Sequence, residues 1–155
     1  MPEFNPLLRV CQLLNDAGAQ YLVIGGYACI LHGLFRTTKD VDILVEESEP
    51  NLQRVIDGLA RMEDGAAAEL TPRDLLDNVV VKVADEVEVD VSRQAWTVTY
   101  REAIAAAQTT EVDGIRVPFI GLADLIASKS TYREQDQIDA AQLRELAARK
   151  GRPPS

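Results

Sequence analysis

Two aspartates one residue apart, Asp40 and Asp42 in the run Lys39-Asp40-Val41-Asp42-Ile43-Leu44-Val45, are the residues best placed to do chemistry. The apolar run predicts a strand over 41–45. On a strand residues i and i+2 point the same way, so both carboxylates project from one face. Like charges that close repel unless something positive lies between them, and a divalent cation is the obvious candidate. Hard ions such as Mg²⁺ take carboxylate oxygens and keep their other positions for water or substrate phosphates. Asp-x-Asp also suits a solvated strand face or a turn. The apolar flanks Val41, Ile43, Leu44 and Val45 weigh against that, because a buried carboxylate must be paired or metal-bound. A third acid, Asp90 in Glu88-Val89-Asp90-Val91, falls on a later strand that can pair beside the first. Glu88 shares its face, and an exposed strand end is the competing account of both.

A glycine pair precedes these acids. Gly25-Gly26 follows the apolar run Tyr21-Leu22-Val23-Ile24 and leads into a helical segment, Tyr27 to Leu34. Backbone amides at a helix start attract anions, and glycine lets a phosphate approach closely. A tight strand-to-helix turn needs glycine equally well. The 13 residues between Gly26 and Asp40 leave room for one helix and a return loop. That spacing sets the glycines and the acids at the ends of adjacent strands.

The remaining elements must hold this arrangement. Asn5-Pro6 ahead of Leu7, Leu8, Val10, Cys11 and Leu14 predicts a capped amphipathic helix ending at Gly18. Leu52 to Met62 carries a helical stripe. Strands over 79–84 and 87–91 flank Asp85-Glu86 as a hairpin turn, and Gly114 turns a second hairpin between 109–112 and 115–120. Helices follow over 100–107, 122–131 and 135–149. Strands and helices mix without strict alternation, so the expected fold is α/β in the broad α+β sense: a mixed β-sheet with helices packed on it.

Composition bounds the function. The chain has 155 residues, 16 Lys+Arg against 25 Asp+Glu, and a formal net charge of −9. That length suits a single domain over 1–150 with a loose tail over 151–155. The acidic balance argues against generic nucleic-acid binding, which wants a basic surface. The excess of acid lies upstream of Lys129, while the segment after it is slightly basic. A phosphate-bearing substrate therefore needs that end, or a metal ion, to neutralise it. One His and two Cys without ligand spacing leave zinc almost no ligands. No apolar run approaches a membrane span and no secretory signal is visible at the start, so the cytoplasm is the expected location.

These segments resemble the nucleotidyltransferases of the DNA polymerase β-like superfamily. Their signature is an apolar residue and Gly-Gly/Ser, a gap of about a dozen residues, Asp-x-Asp/Glu, then a third acid on a later strand. Here it reads as Ile24-Gly25-Gly26, Asp40-Val41-Asp42 and Asp90. His32-Gly33 and Arg36-Thr37-Thr38-Lys39-Asp40-Val41-Asp42 further resemble the subgroup that contains the toxins of type IV toxin–antitoxin (abortive-infection) systems. Asp124 to Lys129 and Arg133 to Leu143 are similar to that subgroup's later motifs, Asp-x-x-Ala-x-Lys and Asp-x-x-Asp.

The resemblance implies a minimal polymerase β-like core. It implies transfer of a nucleoside monophosphate from an NTP to a hydroxyl, with release of pyrophosphate. Asp40, Asp42 and Asp90 would be catalytic and would ligate Mg²⁺, Gly25 and Gly26 would hold the triphosphate, and Lys129 would contact phosphates. Asp136 and Asp139 would belong to the last motif. The acceptor is left unnamed: an RNA end, a protein side chain or a small molecule. A cognate antitoxin would be a natural partner. Two departures stand out. Gly26 occupies a position where many relatives carry Ser, and these 155 residues are far fewer than in the larger toxins, which carry a helical domain beyond the core. A non-catalytic nucleotide- or partner-binding module of the same fold is the alternative, and an acidic structural domain without metal is the third.

Ordinary structural roles compete at the other positions. Lys129 suits a solvent-reaching lysine on a helix, Asp124 a first-turn acid meeting the helix dipole. Asp136 and Asp139 suit a solvated helical face or a pair with Arg133. Arg36 and Lys39 suit either solvent or the acid pair. His32 reads as a packing residue, Trp96 and Tyr100 as core anchors, Cys11 and Cys29 as buried thiols.

Overall fold

The computed structural model describes residues 4–150; the expected tail over 151–155 lies outside the described residues. A first helix, α1 (Asn5–Asp16), turns Leu7, Val10, Cys11 and Leu14 into the core. The expected Asn5 cap is not used: Phe4 takes the cap position, and Asn5 and Pro6 form the first turn. The chain then enters β1 (Tyr21–Ile24) and passes without a loop into α2 (Gly25–Leu31). It returns as β2 (Val41–Val45), antiparallel to β1, with Ile24 opposite Asp42. Burial of Val41, Ile43 and Val45 on one side of β2 and of Leu44 on the other means both faces of this strand are covered.

Ser48 caps α3 (Glu49–Leu59) by accepting from the Asn51 amide. A short 3-10 turn over 66–69 and α4 (Pro72–Asp77) follow, the latter held by a Thr71–Asp74 capping box. Neither was expected from the sequence. The first hairpin, β3 (Val80–Ala84) and β4 (Glu88–Ser92), is antiparallel, and β4 runs parallel beside β2. A two-stranded ribbon, β5 (Gln94–Ala95) and β6 (Val98–Thr99), leads into α5 (Tyr100–Ala103). The second hairpin, β7 (Gln108–Val112) and β8 (Ile115–Phe119), turns on Asp113 and Gly114, both at positive φ (51° and 79°), as a tight two-residue hairpin requires. Helices α6 (Leu122–Ser128) and α7 (Glu134–Lys150) complete the described chain.

The large sheet has strand order β3-β4-β2-β1-β8-β7 and mixes parallel with antiparallel pairs. Helices α1 and α3 pack together over β2 and β8, while α2, α6 and α7 form a second group against β1 and β2. The mixed sheet with helices on it is as the sequence predicts. Its two central strands, β1 and β2, end beside the glycine pair and the acids.

Candidate active site

Register decides the site. β2 and β4 are parallel neighbours with Asp42 directly opposite Asp90, so the two side chains leave the sheet on the same side. Asp40, just ahead of β2, opens onto the same cleft together with Glu88 and Asp90. The three aspartates, separated by up to 50 positions in sequence, therefore meet. Asp90 is not on an exposed strand end: its side chain is 21% exposed and turned to its neighbours.

Asp42 is the most constrained of the three. Burial pushes its carboxyl up to about 7, and the hydrogen bond and negative charge of Asp90 push the same way. Lys129 opposes this and Asp40 adds to it. Two carboxylates held side by side in a poorly solvated place cannot both ionise without a cation. The nearest one is Lys82 on β3, opposite Asp90 in the hairpin register. Its Nζ lies 3.2 Å from Asp40 Oδ2, 3.4 Å from Asp90 Oδ1 and 3.7 Å from Glu88 Oε2. One half-exposed ammonium thus serves three carboxylates, and none of its ion pairs is to Asp42.

The glycine pair has two separate tasks. Gly25 has φ +67°, and a Cβ there would run into the Asp42 carboxyl, 2.8 Å from its Cγ. Only a residue without a side chain lets β2 bring Asp42 this close to the turn. Gly26 is packed against Thr38, and a Cβ would sit 2.8 Å from the Thr38 Cβ. Gly26 borders the cleft directly, whereas Gly25 lies behind it against Asp42.

A second group of charges closes the opposite wall. Lys129, at the end of α6, is 11% exposed and pairs with Asp139 at 3.0 Å and Asp136 at 3.5 Å. It does not reach for solvent. Asp139 is buried on α7, where it also accepts from Arg36 and from Gln135 Nε2 at 2.9 Å. Asp136 accepts from Thr131 Oγ1 at 2.6 Å. The solvated face expected for this pair of acids is therefore corrected: Arg36 and Lys129 fold them into the wall. Lys39 and Arg133 border the cleft with no ion pair among the described residues.

His32 is a packing residue, as the sequence suggests. It is buried, lies edge-on to Phe119 and bonds the Ile120 carbonyl at 2.7 Å. Cys11 and Cys29 are buried free thiols. Trp96 overturns its expectation, being 49% exposed rather than a core anchor. Sequence reasoning passed over Lys82, and offered Arg133 only as a partner of Asp136 and Asp139, a pairing that Lys129 makes instead. Lys82 gave no usable signal, since only the observed turn length sets it opposite Asp90; Arg133 had only its position ahead of the Asp136–Asp139 motif.

The cleft has a volume of about 580 Å³ and an almost wholly polar lining. Its donors suit a divalent cation in kind: hard carboxylate oxygens, crowded, with too little positive charge of their own. They are not a formed cage, for among the described residues no three His, Cys, Asp or Glu side chains stand in metal-holding arrangement. Lys82 occupies the position between Asp40 and Asp90 that an ion would contest. Among the described residues no helix is long and apolar enough to cross a membrane.

Comparison with known proteins supplies the context. Residues 3–151 match the family described as "Nucleotidyl transferase of unknown function (DUF2204)". Two solved structures share the fold. One is an antigenic nucleotidyltransferase-like protein from Paracoccidioides brasiliensis, with TM-score 0.58 and 16% identity over 90% of this chain and 74% of that one. The other is a candidate nucleotidyltransferase from Thermotoga maritima, with TM-score 0.51 and 13% identity over 93% of this chain and 91% of that one. No functionally curated protein matches the sequence.

Proposed function

Because the chain belongs to the nucleotidyl transferase family DUF2204, we propose that it is a metal-dependent nucleotidyltransferase whose reacting centre is the Asp40–Asp42–Asp90 cluster. The observation that carries this reading is the in-register juxtaposition of Asp42 and Asp90, with Asp42 held up to about 7 by burial and by its neighbour. A protein gains nothing structural from forcing two carboxylates together in a desolvated place. The arrangement makes sense where a cation and a proton are to be handled.

Asp40, Asp42 and Asp90 would hold Mg²⁺, which would draw charge from phosphate oxygens and supply the positive field that an acidic chain lacks. The triphosphate lies along the Gly25–Gly26 turn, where Gly26 borders the cleft beside Thr38. Lys39 and Arg133, the cations without ion pairs, face its outer oxygens. Lys129, tied to Asp136 and Asp139, acts on this cleft as a fixed positive charge rather than a mobile one. Attack by an acceptor hydroxyl on the α-phosphorus forms the new P–O bond, and the bond to the bridging oxygen breaks to release pyrophosphate. Asp90, poised beside Asp42, takes the hydroxyl proton.

The resemblance to abortive-infection toxins makes RNA ends and protein side chains the first acceptors to test. The protein is incubated with Mg²⁺ and each α-labelled NTP against total tRNA, cell protein and small hydroxylated compounds. Transfer to one acceptor class is expected, and Asp42→Asn should reduce it to background. Transfer that persists in Asp42→Asn at the original rate overturns the reading. Nucleotide binding with no transfer to any acceptor would favour the non-catalytic binding module instead.

A further inference from the structure

The cleft does not end at the acids. On β4, Asp90 and Ser92 are two residues apart and leave the sheet on the same face, about 7 Å from one another. Across the hairpin, Lys82 stands opposite Asp90 and Val80 opposite Ser92. Ser92 and Val80 line a second cavity of about 250 Å³, and Arg133 and Asp136 border both it and the acidic cleft. The two cavities are thus successive stretches of one groove along the β3–β4 hairpin.

Their chemistry differs sharply. The second stretch adds an apolar wall of Trp96, Tyr132, Val79 and Val80 to polar groups that include Gln94 and Thr131. Of the seven large apolar side chains exposed among the described residues, these four crowd around one cavity, so the exposure is concentrated rather than scattered. Tyr132 is 80% exposed and Trp96 49%, and the two rings meet edge-to-face with centroids 6.3 Å apart. Trp96 also sits at φ +58°, a conformation that bulky residues rarely adopt. It occupies the two-residue turn between β5 and β6, and its carbonyl accepts from Gln94 Nε2 at 2.7 Å. A two-residue turn itself calls for positive φ at this position; what is unusual is that a bulky residue fills it with its indole left outside the core.

We propose that the Trp96–Tyr132 cavity is the subsite for the nucleobase of the nucleotide whose phosphates lie at the acid cluster. The inference rests on the transferase reading and deepens it. At about 250 Å³ the cavity is smaller than most ligand pockets, which suits one planar ring system rather than a whole ligand. Its walls offer flat aromatic surface, and its position a few ångströms along β4 from Asp90 matches a ligand that is ionic at one end and planar at the other. Stacking is indifferent to base identity, so the subsite should accept purines and pyrimidines with modest preference.

Trp96 is the single tryptophan of the chain, so intrinsic fluorescence reads this cavity directly. ATP, UTP and inorganic tripolyphosphate are titrated with Mg²⁺ into the full chain, with affinities taken by calorimetry and emission recorded in parallel. Both nucleotides should change the indole emission, and tripolyphosphate should bind without doing so. Trp96→Ala and Tyr132→Ala should each weaken ATP about tenfold or more while leaving tripolyphosphate unchanged, and Trp96→Phe should restore most of the loss. Both positions are exposed, and circular dichroism checks that the variants fold. ATP binding that leaves the emission and the Trp96→Ala affinity unaltered overturns the base subsite but spares the acid-cluster reading. Emission that answers to an RNA end or another acceptor and not to ATP also overturns it. If neither ATP nor tripolyphosphate binds, or Asp42→Asn binds both as the original does, the transferase reading fails and this subsite fails with it.

Discussion

The cleft has two carboxylate clusters on facing walls, and they are balanced differently. On the α6–α7 side, Asp136 and Asp139 meet Lys129 and Arg36, and Thr131 and Gln135 take up remaining oxygens. Charge and hydrogen bonding are complete there, so burial of Asp139 is tolerable. On the β2–β4 side, Asp40, Asp42, Glu88 and Asp90 share the single ammonium of Lys82, which forms no ion pair with Asp42. One cluster is saturated and ties helices to the loop ahead of β2. The other is short of positive charge and open to the cleft. The first sets two cations against two carboxylates and the second one cation against four; neutralisation separates a structural lock from the candidate reactive centre.

Breaking each cluster should therefore have opposite consequences. Asp139→Asn leaves Arg36 and Lys129 facing a neutral amide in a buried place, and should cost about 3–5 kcal/mol of stability. Asp42→Asn removes a repulsive carboxyl and should leave stability unchanged or raise it near neutral pH while abolishing transfer. Denaturant unfolding of the two variants at pH 7.5 measures the contrast. Equal losses would mean that Asp42 is as much a structural partner as Asp139. Gly25→Ala sharpens the same point with a smaller effect. Its φ of +67° and the collision with Asp42 should together cost about 1–3 kcal/mol. Because the added methyl displaces the acid and not a core residue, activity should fall further than stability does.

Much of this was readable from the chain. Apolar runs bounded by Gly-Gly, Asp-Gly and the acids locate β1, β2 and both hairpins, and spacing brings Gly25, Asp40 and Asp42 to one end of the sheet. Lys82 was hidden by one residue of turn length. A two-residue turn at Asp85-Glu86 pairs Ala84 with Val87 and turns Lys82 to the face away from Asp90. The observed turn takes in Val87 and pairs Ala84 with Glu88, which puts Lys82 opposite Asp90. The Thr71–Asp74 capping box was a legible local signal for α4 that went unused. Burial of Asp139 had no local signal, because its partner Arg36 lies 103 positions away. Trp96 misled because aromatic residues usually mark cores, and only tertiary structure reveals a ring left beside a site.

The smallest effect tests the unbalanced cluster through pH. Asp42 is raised to about 7 in the folded protein and returns to an ordinary carboxylate value on unfolding. Between those values the folded state binds more protons than the unfolded chain. Its contribution to stability is then full at low pH and is lost as pH rises toward 7. Asp85 and Glu86 have lowered values and act in the opposite sense below that range, and buried His32, whose value burial lowers, adds stability as pH rises toward the ordinary imidazole value, so Asp42 is read over about pH 5 to 7 as the difference between the original protein and Asp42→Asn. Relative to Asp42→Asn, metal-free protein should lose stability across that window, by no more than about 1.4 kcal/mol per pH unit, and level off above. In Asp42→Asn only the opposite, rising contribution of His32 should remain. Lys82→Met removes the ammonium shared by Asp40 and Asp90, so the acid pair should hold its proton to higher pH and the levelling point should move up by less than about one unit. Thermal melts of the three proteins at closely spaced pH values read all of this. A levelling point that moves down, or a stability that still falls with rising pH in Asp42→Asn, would place the excess proton elsewhere and remove the distinction between the two walls.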